Sequence, residues 1–203
     1  MVREIKIRLN VFLIAFILAA LITTLTIYFS IVKFKEQEIY KYYYNYKGYN
    51  IEFRKPIELS KTIKVLPNES MLNISTYALA LGMFKNFTIV IFEKDDNEVT
   101  AIGAFELASK VVNVLNYEIS KQGYIYDKMQ TNVIKIKRDI NEINISSNSY
   151  YVFLKSYLIS NDTYIKVHRV NFVEIAAKNM DEFDYAIIKF IIMFLNNMKE
   201  IYK

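Results

Sequence analysis

Residues 11–32 read VFLIAFILAALITTLTIYFSIV, 22 residues without one charge. At ~1.5 Å of rise per residue, a helix over this run is ~33 Å long, enough for a hydrocarbon core of ~30 Å. Thr23, Thr24, Thr26 and Ser30 fit such a helix, because their hydroxyls can bond carbonyls one turn back. A secretory signal peptide has a shorter apolar core, ~7–15 residues, followed by a small-x-small cleavage site. The sequence FSIVKFKEQ at the end of this run offers no such site. The run therefore predicts a retained N-terminal transmembrane anchor. It divides the chain into a basic tail (residues 1–10), the anchor (11–32), a juxtamembrane segment (33–47) and one domain (48–203).

The juxtamembrane segment reads as a continuing helix that ends in a collar of Tyr40, Lys41, Tyr42, Tyr43, Tyr44, Tyr46 and Lys47. At headgroup level tyrosine rings favour the interface and lysines meet lipid phosphates. The lipid bilayer is thus the first expected partner. Arg3, Lys6 and Arg8 precede the apolar run and Lys33 and Lys35 follow it, a slight positive-inside bias. Asn-x-Ser/Thr sequons stand at Asn68, Asn73, Asn86, Asn144 and Asn161, all beyond the run. Chance placement of 18 Asn and 20 Ser or Thr among 203 residues gives only about two. Both features predict a cytoplasmic N-terminus and a domain outside, with these asparagines as glycan acceptors on exposed turns or strand edges.

Composition removes several chemistries. With no cysteine, disulfides, thiolate metal sites and cysteine nucleophiles are excluded. With one histidine, His168, multi-histidine metal sites are excluded too. Four glycines build neither G-x-G-x-x-G nor G-x-x-x-x-G-K. No cofactor and no metal are expected. The net charge is +5, of which residues 1–10 carry +2. The remaining lysines are interleaved with acids rather than gathered in a stripe, so no nucleic-acid partner is expected.

Beyond Gly48, the alternation of Tyr49, Ile51 and Phe53 reads as a strand ended by Pro56. Thr62 to Val65 pairs with it, and residues 67–70 turn. Asn73 to Phe84 and Phe87 to Glu93 read as a hairpin through Lys85-Asn86. Its second arm, apolar at nearly every position, belongs at the centre of a sheet. Phe105, Ala108, Val111, Val112, Leu115 and Ile119 share one helical face, predicting a helix from Phe105 to Gln122 with Gly123 as its C-cap. Strands follow over Tyr124 to Met129, Val133 to Lys137, Ile143 to Ser146, Tyr150 to Ile159 and Tyr164 to Glu174. A last helix runs from Met180 to Tyr202, with Asn179 and Glu182 at capping-box spacing. Strands in succession joined by short turns predict an α+β class: an N-terminal transmembrane helix, then an antiparallel β-sheet covered by two α-helices.

Gly48-Tyr49-x-Ile51-x-Phe53-x-x-Pro56 resembles the first strand of PsbP-like domains, and the long strand at Tyr164 leading into the terminal helix is similar as well. The resemblance would cover residues 48–203. It implies an antiparallel sheet sandwiched between helices and a non-enzymatic accessory role in a membrane assembly. It carries no site residues over.

Candidates for chemistry are few. His168 is the sole imidazole, lies in a strand, and has no G-x-S-x-G to serve. Asp95, Asp96, Asn97 and Glu98 could hold a hard cation, but read more simply as a solvated hairpin tip. Asp181, Glu182 and Asp184 complement the positive end of the last helix. No catalytic residue is assigned. The sequence points to a non-catalytic, membrane-anchored, extracytoplasmic binding or structural protein, an accessory subunit of a membrane or cell-envelope assembly whose partners are other membrane or envelope proteins. A sensor input domain is the first alternative. With about ten residues before the anchor, its output must come from a partner. A small hydrolase with unconventional residues is the second.

Overall fold

The structure, a computed structural model, describes residues 22–24, 26, 42–122, 128–137 and 140–203. The chain divides into two units, Met1–Lys41 and Tyr42–Lys203. In the first unit residues 22–24 and 26 are helical. Thr26 Oγ1 donates to the Ile22 carbonyl at 2.8 Å, a hydroxyl bonded one turn back. The rest of 11–32, with Tyr40 and Lys41, lies outside the described residues. Among those described, no helix is long and apolar enough to cross a membrane. The expected transmembrane helix is corrected accordingly: it is not an element of the described fold.

The second unit opens with a hairpin, β1 (Tyr42–Tyr46) paired antiparallel with β2 (Tyr49–Phe53). Its two-residue turn is Lys47-Gly48, with φ of 49° and 87°. Positive φ at both central residues matches the right-handed twist of the flanking strands. Asn45 Oδ1 accepts the Gly48 N–H at 3.2 Å and ties the turn. The folded unit thus begins before Gly48, and residues 42–46 of the expected collar are a strand. A lone hairpin is marginal in water. This one is held by Tyr46 and Phe53, 3% and 1% exposed, each contributing about 1.5–3 kcal/mol by burial.

The main sheet has six strands: β3 (Lys64–Leu66), β4 (Asn86–Phe92), β5 (Gln130–Ile136), β6 (Ser149–Lys155), β7 (Tyr164–Arg169) and β8 (Phe172–Ala176). Their order is β3-β7-β8-β6-β4-β5. β4 runs parallel to β5 and to β6, β6 parallel to β8, and β3 parallel to β7; only β7 and β8 pair antiparallel. The expected antiparallel sheet is therefore a mixed one. The cause is helices where turns were expected. Parallel neighbours need a crossover, and two of the strand connections are helical. Residues Asn73 to Ala80, expected in a hairpin arm, belong to α1 (Glu69–Ala80), capped by Asn68 Oδ1 accepting the Met71 N–H at 3.0 Å. Between β4 and β5 lie α2 (Glu98–Leu107), a π turn (Ala108–Val112) and α3 (Asn113–Lys121). That helical stretch starts seven residues before the expected Phe105, at a capping box of Asn97 and Thr100.

Several smaller expectations shift too. Ile143 to Ser146 is not a strand, and Tyr164 to Glu174 is two strands turned at Val170-Asn171. Residues 123–127, including Gly123, lie outside the described residues. The chain closes with α4 (Met180–Ile201), whose Asn179 cap accepts the Glu182 N–H at 2.8 Å.

The two faces of the sheet differ. Phe87, Ile89 and Ile91 of β4, Tyr150, Val152 and Leu154 of β6, and Val173 and Ile175 of β8 enter one core with apolar residues of all four α-helices. Phe183, Phe190 and Phe194 of α4 are fully buried there. The opposite residues of the same strands, Val90, Tyr151, Phe153 and Phe172, form a smaller cluster against Ile143 and Ile145. The two expected covering helices are thus four, all contributing to one face.

Candidate functional site

Alternation along β1 decides which collar residues point inward. Tyr44 and Tyr46 do. The Tyr44 hydroxyl donates to Asn196 Oδ1 of α4 at 2.6 Å, and the Lys199 ammonium sits 4.2 Å from the centre of its ring. The Tyr46 hydroxyl donates to Glu118 Oε1 of α3 at 3.1 Å, and Lys47 Nζ donates to Glu118 Oε2 at 3.0 Å. Burial, then the Glu118 carboxylate, push the Tyr46 phenol far above its ordinary range. Glu118 is 3% exposed; two charge-assisted bonds offset the cost of burying it. Tyr44, Tyr46 and Lys47 therefore fasten the hairpin to α3 and α4. Tyr42 and Tyr43 are exposed.

Beside that attachment lies an open groove of about 330 Å³, lined by Tyr46, Tyr49, Ile51, Asn113, Val114 and Tyr117. Tyr49 and Tyr117 meet edge to face at 6.4 Å, with hydroxyls 3.5 Å apart. They are 58% and 44% exposed. Apolar walls with phenol hydroxyls at the rim are what an amphipathic ligand or a protein anchor uses, since tyrosine offers large contact area and one polar tip. Sequence reading identified the tyrosines of the hairpin but not Tyr117 or Glu118. The signal was available: residues 114 and 117 lie one turn apart on α3, on a face the expected buried stripe leaves free.

A second polar cluster lies on the helix-free side of the sheet. Glu174 of β8, 4% exposed, accepts from Tyr164 at 2.8 Å, from Lys155 at 2.7 Å and from His168 Nε2 at 2.7 Å. Burial raises the Glu174 pKa, but bonds from Lys155, His168 and Tyr164 outweigh it, and the carboxyl is held below its ordinary value. His168 also stacks on Phe172, ring centres 5.0 Å apart. The arrangement can orient an imidazole. Yet Tyr164, the hydroxyl at hand, is spent on the same carboxylate, where a nucleophile would bond the imidazole instead. His168 was legible in the sequence; its partners, brought from three strands, were not.

The acidic stretch after β4 is not a solvated tip. Asp95 is fully buried. Its carboxylate accepts from Ser156 N at 2.7 Å, from Ser156 Oγ, and from Asn97 Nδ2 at 3.0 Å. It ties the ends of β4 and β6 to the start of α2. At the start of α4, Asp181 pairs with Lys55 at 2.7 Å and Glu182 bonds Asn179. Half-buried Asp184 is raised above the ordinary carboxylate range by burial. Among the described residues no group of three His, Cys, Asp or Glu is placed to hold a metal ion.

Of the sequon asparagines, Asn68, Asn73, Asn144 and Asn161 are exposed and Asn86, the first residue of β4, is half-buried. Asn73 lies in α1, not at the start of a strand. In the sequons of Asn73 and Asn86 the hydroxyl residues Ser75 and Thr88 are buried, at 0% and 3%. The sequons with an exposed asparagine and no buried residue are thus those of Asn68, Asn144 and Asn161.

No protein-family model matches the chain, and neither a curated protein nor a solved structure is similar enough to count as a match.

Proposed function

We propose that this chain is a non-catalytic binding protein of a membrane or cell-envelope assembly, with the tyrosine-rich hairpin and α3 as its contact surface. The observation that carries the reading is the groove between Tyr49, Ile51, Val114 and Tyr117. It joins exposed aromatic area to a rim of hydroxyls, and interfaces are enriched in such residues. A docked partner here would meet a surface already rigid, because Tyr46 and Lys47 lock the hairpin onto Glu118. The buried carboxylates of Glu174 and Asp95 are spent on partners within the fold, which favours a structural use of them over turnover. An outward-facing domain agrees with this reading, since Asn68, Asn144 and Asn161 are exposed.

The test is site-specific photocrosslinking in intact cells from position 49 of the hairpin, with exposed position 166 of β7 in the main sheet as control. A discrete adduct in the membrane fraction from position 49 alone is expected. Adducts of equal yield from both positions, or none from 49, would overturn the reading. A sensor input domain is the second reading, because a groove of about 330 Å³ also suits a small molecule. It would leave position 49 without a protein adduct and raise the melting temperature with a small-molecule fraction from the host cell.

A further inference from the structure

Among the described residues β5 closes one end of the main sheet, with β4 as its strand neighbour. Its pairing with β4 is continuous over seven residues, Asn86↔Gln130 through Phe92↔Ile136, with no bulge. It contains no proline. Gln130 N donates to the Lys85 carbonyl at 3.0 Å, so the backbone of Gln130 faces β4. Alternation along a strand then turns the N–H and C=O groups of Thr131, Val133 and Lys135 away from the sheet. Residues 130–135 are all exposed, Val133 at 54% and Ile134 at 39%. Such a row of open donors and acceptors is a template for one more strand.

Charge selects the kind of strand. Residues 128–137 read KMQTNVIKIK, with Lys128, Lys135 and Lys137 and no acid. Among the described residues Lys135 pairs with Asp96, about half exposed on each side, and such a pair holds a lysine weakly. Lysines on an edge act against pairing with a second copy of the chain, which would bring its own lysines. They favour a strand that carries carboxylates opposite them.

We infer that the β5 edge binds an acidic extended segment of a partner protein by strand addition. Backbone bonds to Thr131, Val133 and Lys135 set the register, and carboxylates lie against Lys135 and Lys137. This surface is distinct from the tyrosine groove, and the inference stands whether or not the groove is a contact site.

The test is fluorescence anisotropy of the full chain in detergent against labelled seven-residue peptides of alternating Glu and Val, with a Lys-and-Val peptide as control. The acidic peptide is expected to bind and the basic one not to. Lys135→Glu should weaken the acidic peptide about tenfold and admit the basic one, because an attractive cross-strand pair becomes a repulsive one. Val133→Pro removes an outward N–H without touching the bonds to β4 and should also weaken binding about tenfold or more, with circular dichroism unchanged. Equal binding of both peptides, binding indifferent to Lys135→Glu, or self-association of the chain lost on Val133→Pro would each overturn the inference.

Discussion

At Gly103 α2 packs closely against α4. A Cβ there would lie 2.6 Å from Ile187 Cδ1 and 2.8 and 3.3 Å from Phe183 Cε1 and Cζ, both on α4. Replacing Gly103 by Ala sets two effects against each other. Helix propensity favours alanine by about 1 kcal/mol. Overpacking a filled core costs about 1–3 kcal/mol. Ile187 Cδ1 is the end of a flexible side chain and can rotate aside. The Phe183 ring is fully buried and has nowhere to go, so overpacking wins. Gly103→Ala should therefore destabilise by up to about 2 kcal/mol, lowering the melting temperature by up to roughly 8 °C for a domain of this size. The assay is urea and thermal unfolding followed by circular dichroism. Ile187→Val supplies the internal control, because it deletes the nearest clashing atom. Alone it should cost about 0.5–1.5 kcal/mol. Combined with Gly103→Ala the loss should be clearly less than the sum, since the new methyl fills the space. A Gly103→Ala variant that melts higher than the parent would refute the close packing of α2 on α4.

Glu174 has a folded-state pKa below its ordinary value, so its contribution is present above the unfolded carboxylate value, ~4.3, and is lost as pH falls through the folded one. Glu174→Gln should be less stable than the parent at pH 7, with the gap closing below pH ~4 in unfolding curves. Asp184 runs the other way, raised by burial against Arg54 and Lys55. Asp184→Asn should stabilise at pH 7, and the parent should gain on the variant as the pH is lowered towards 4. Asp95→Ala strands the Ser156 N–H and Oγ and Asn97 Nδ2 in the interior and should cost about 2–4 kcal/mol in chemical denaturation.

Legibility followed the range of the interactions. The 3.6-residue period of Met180–Ile201 and its Asn179 cap are local, and the helix was read to within a residue. The apolar run Phe87–Phe92 was read as central, and it is: β4 sits between β5 and β6 with Phe87 and Val90 fully buried. That same run carried the message of a parallel sheet, since strands covered on both faces lose alternation. The message was obscured by α1. Its sequence ESMLNISTYALA mixes Ser, Thr, Asn and Ile, weak helix formers, yet Leu72, Thr76, Leu79 and Ala80 share a buried face and tertiary packing prevails. In the groove, Tyr49 was read as the start of a strand but Tyr46 as an interface tyrosine at the end of a helix, although the alternation of YYYNY and the Lys-Gly turn already spelled a hairpin. Glu118 and Tyr117 stand some 70 residues away in the chain, and no local pattern announces a partner at that distance.

The contact surface itself is tested most directly by hydrogen exchange with mass readout, comparing the protein in the membrane assembly proposed for it with the purified full chain in detergent. The account predicts slower exchange in the assembly at residues 42–53 and 113–121, with residues 149–155 unchanged because β6 is interior in both. Equal exchange at 42–53 and 113–121 in the two preparations would contradict it.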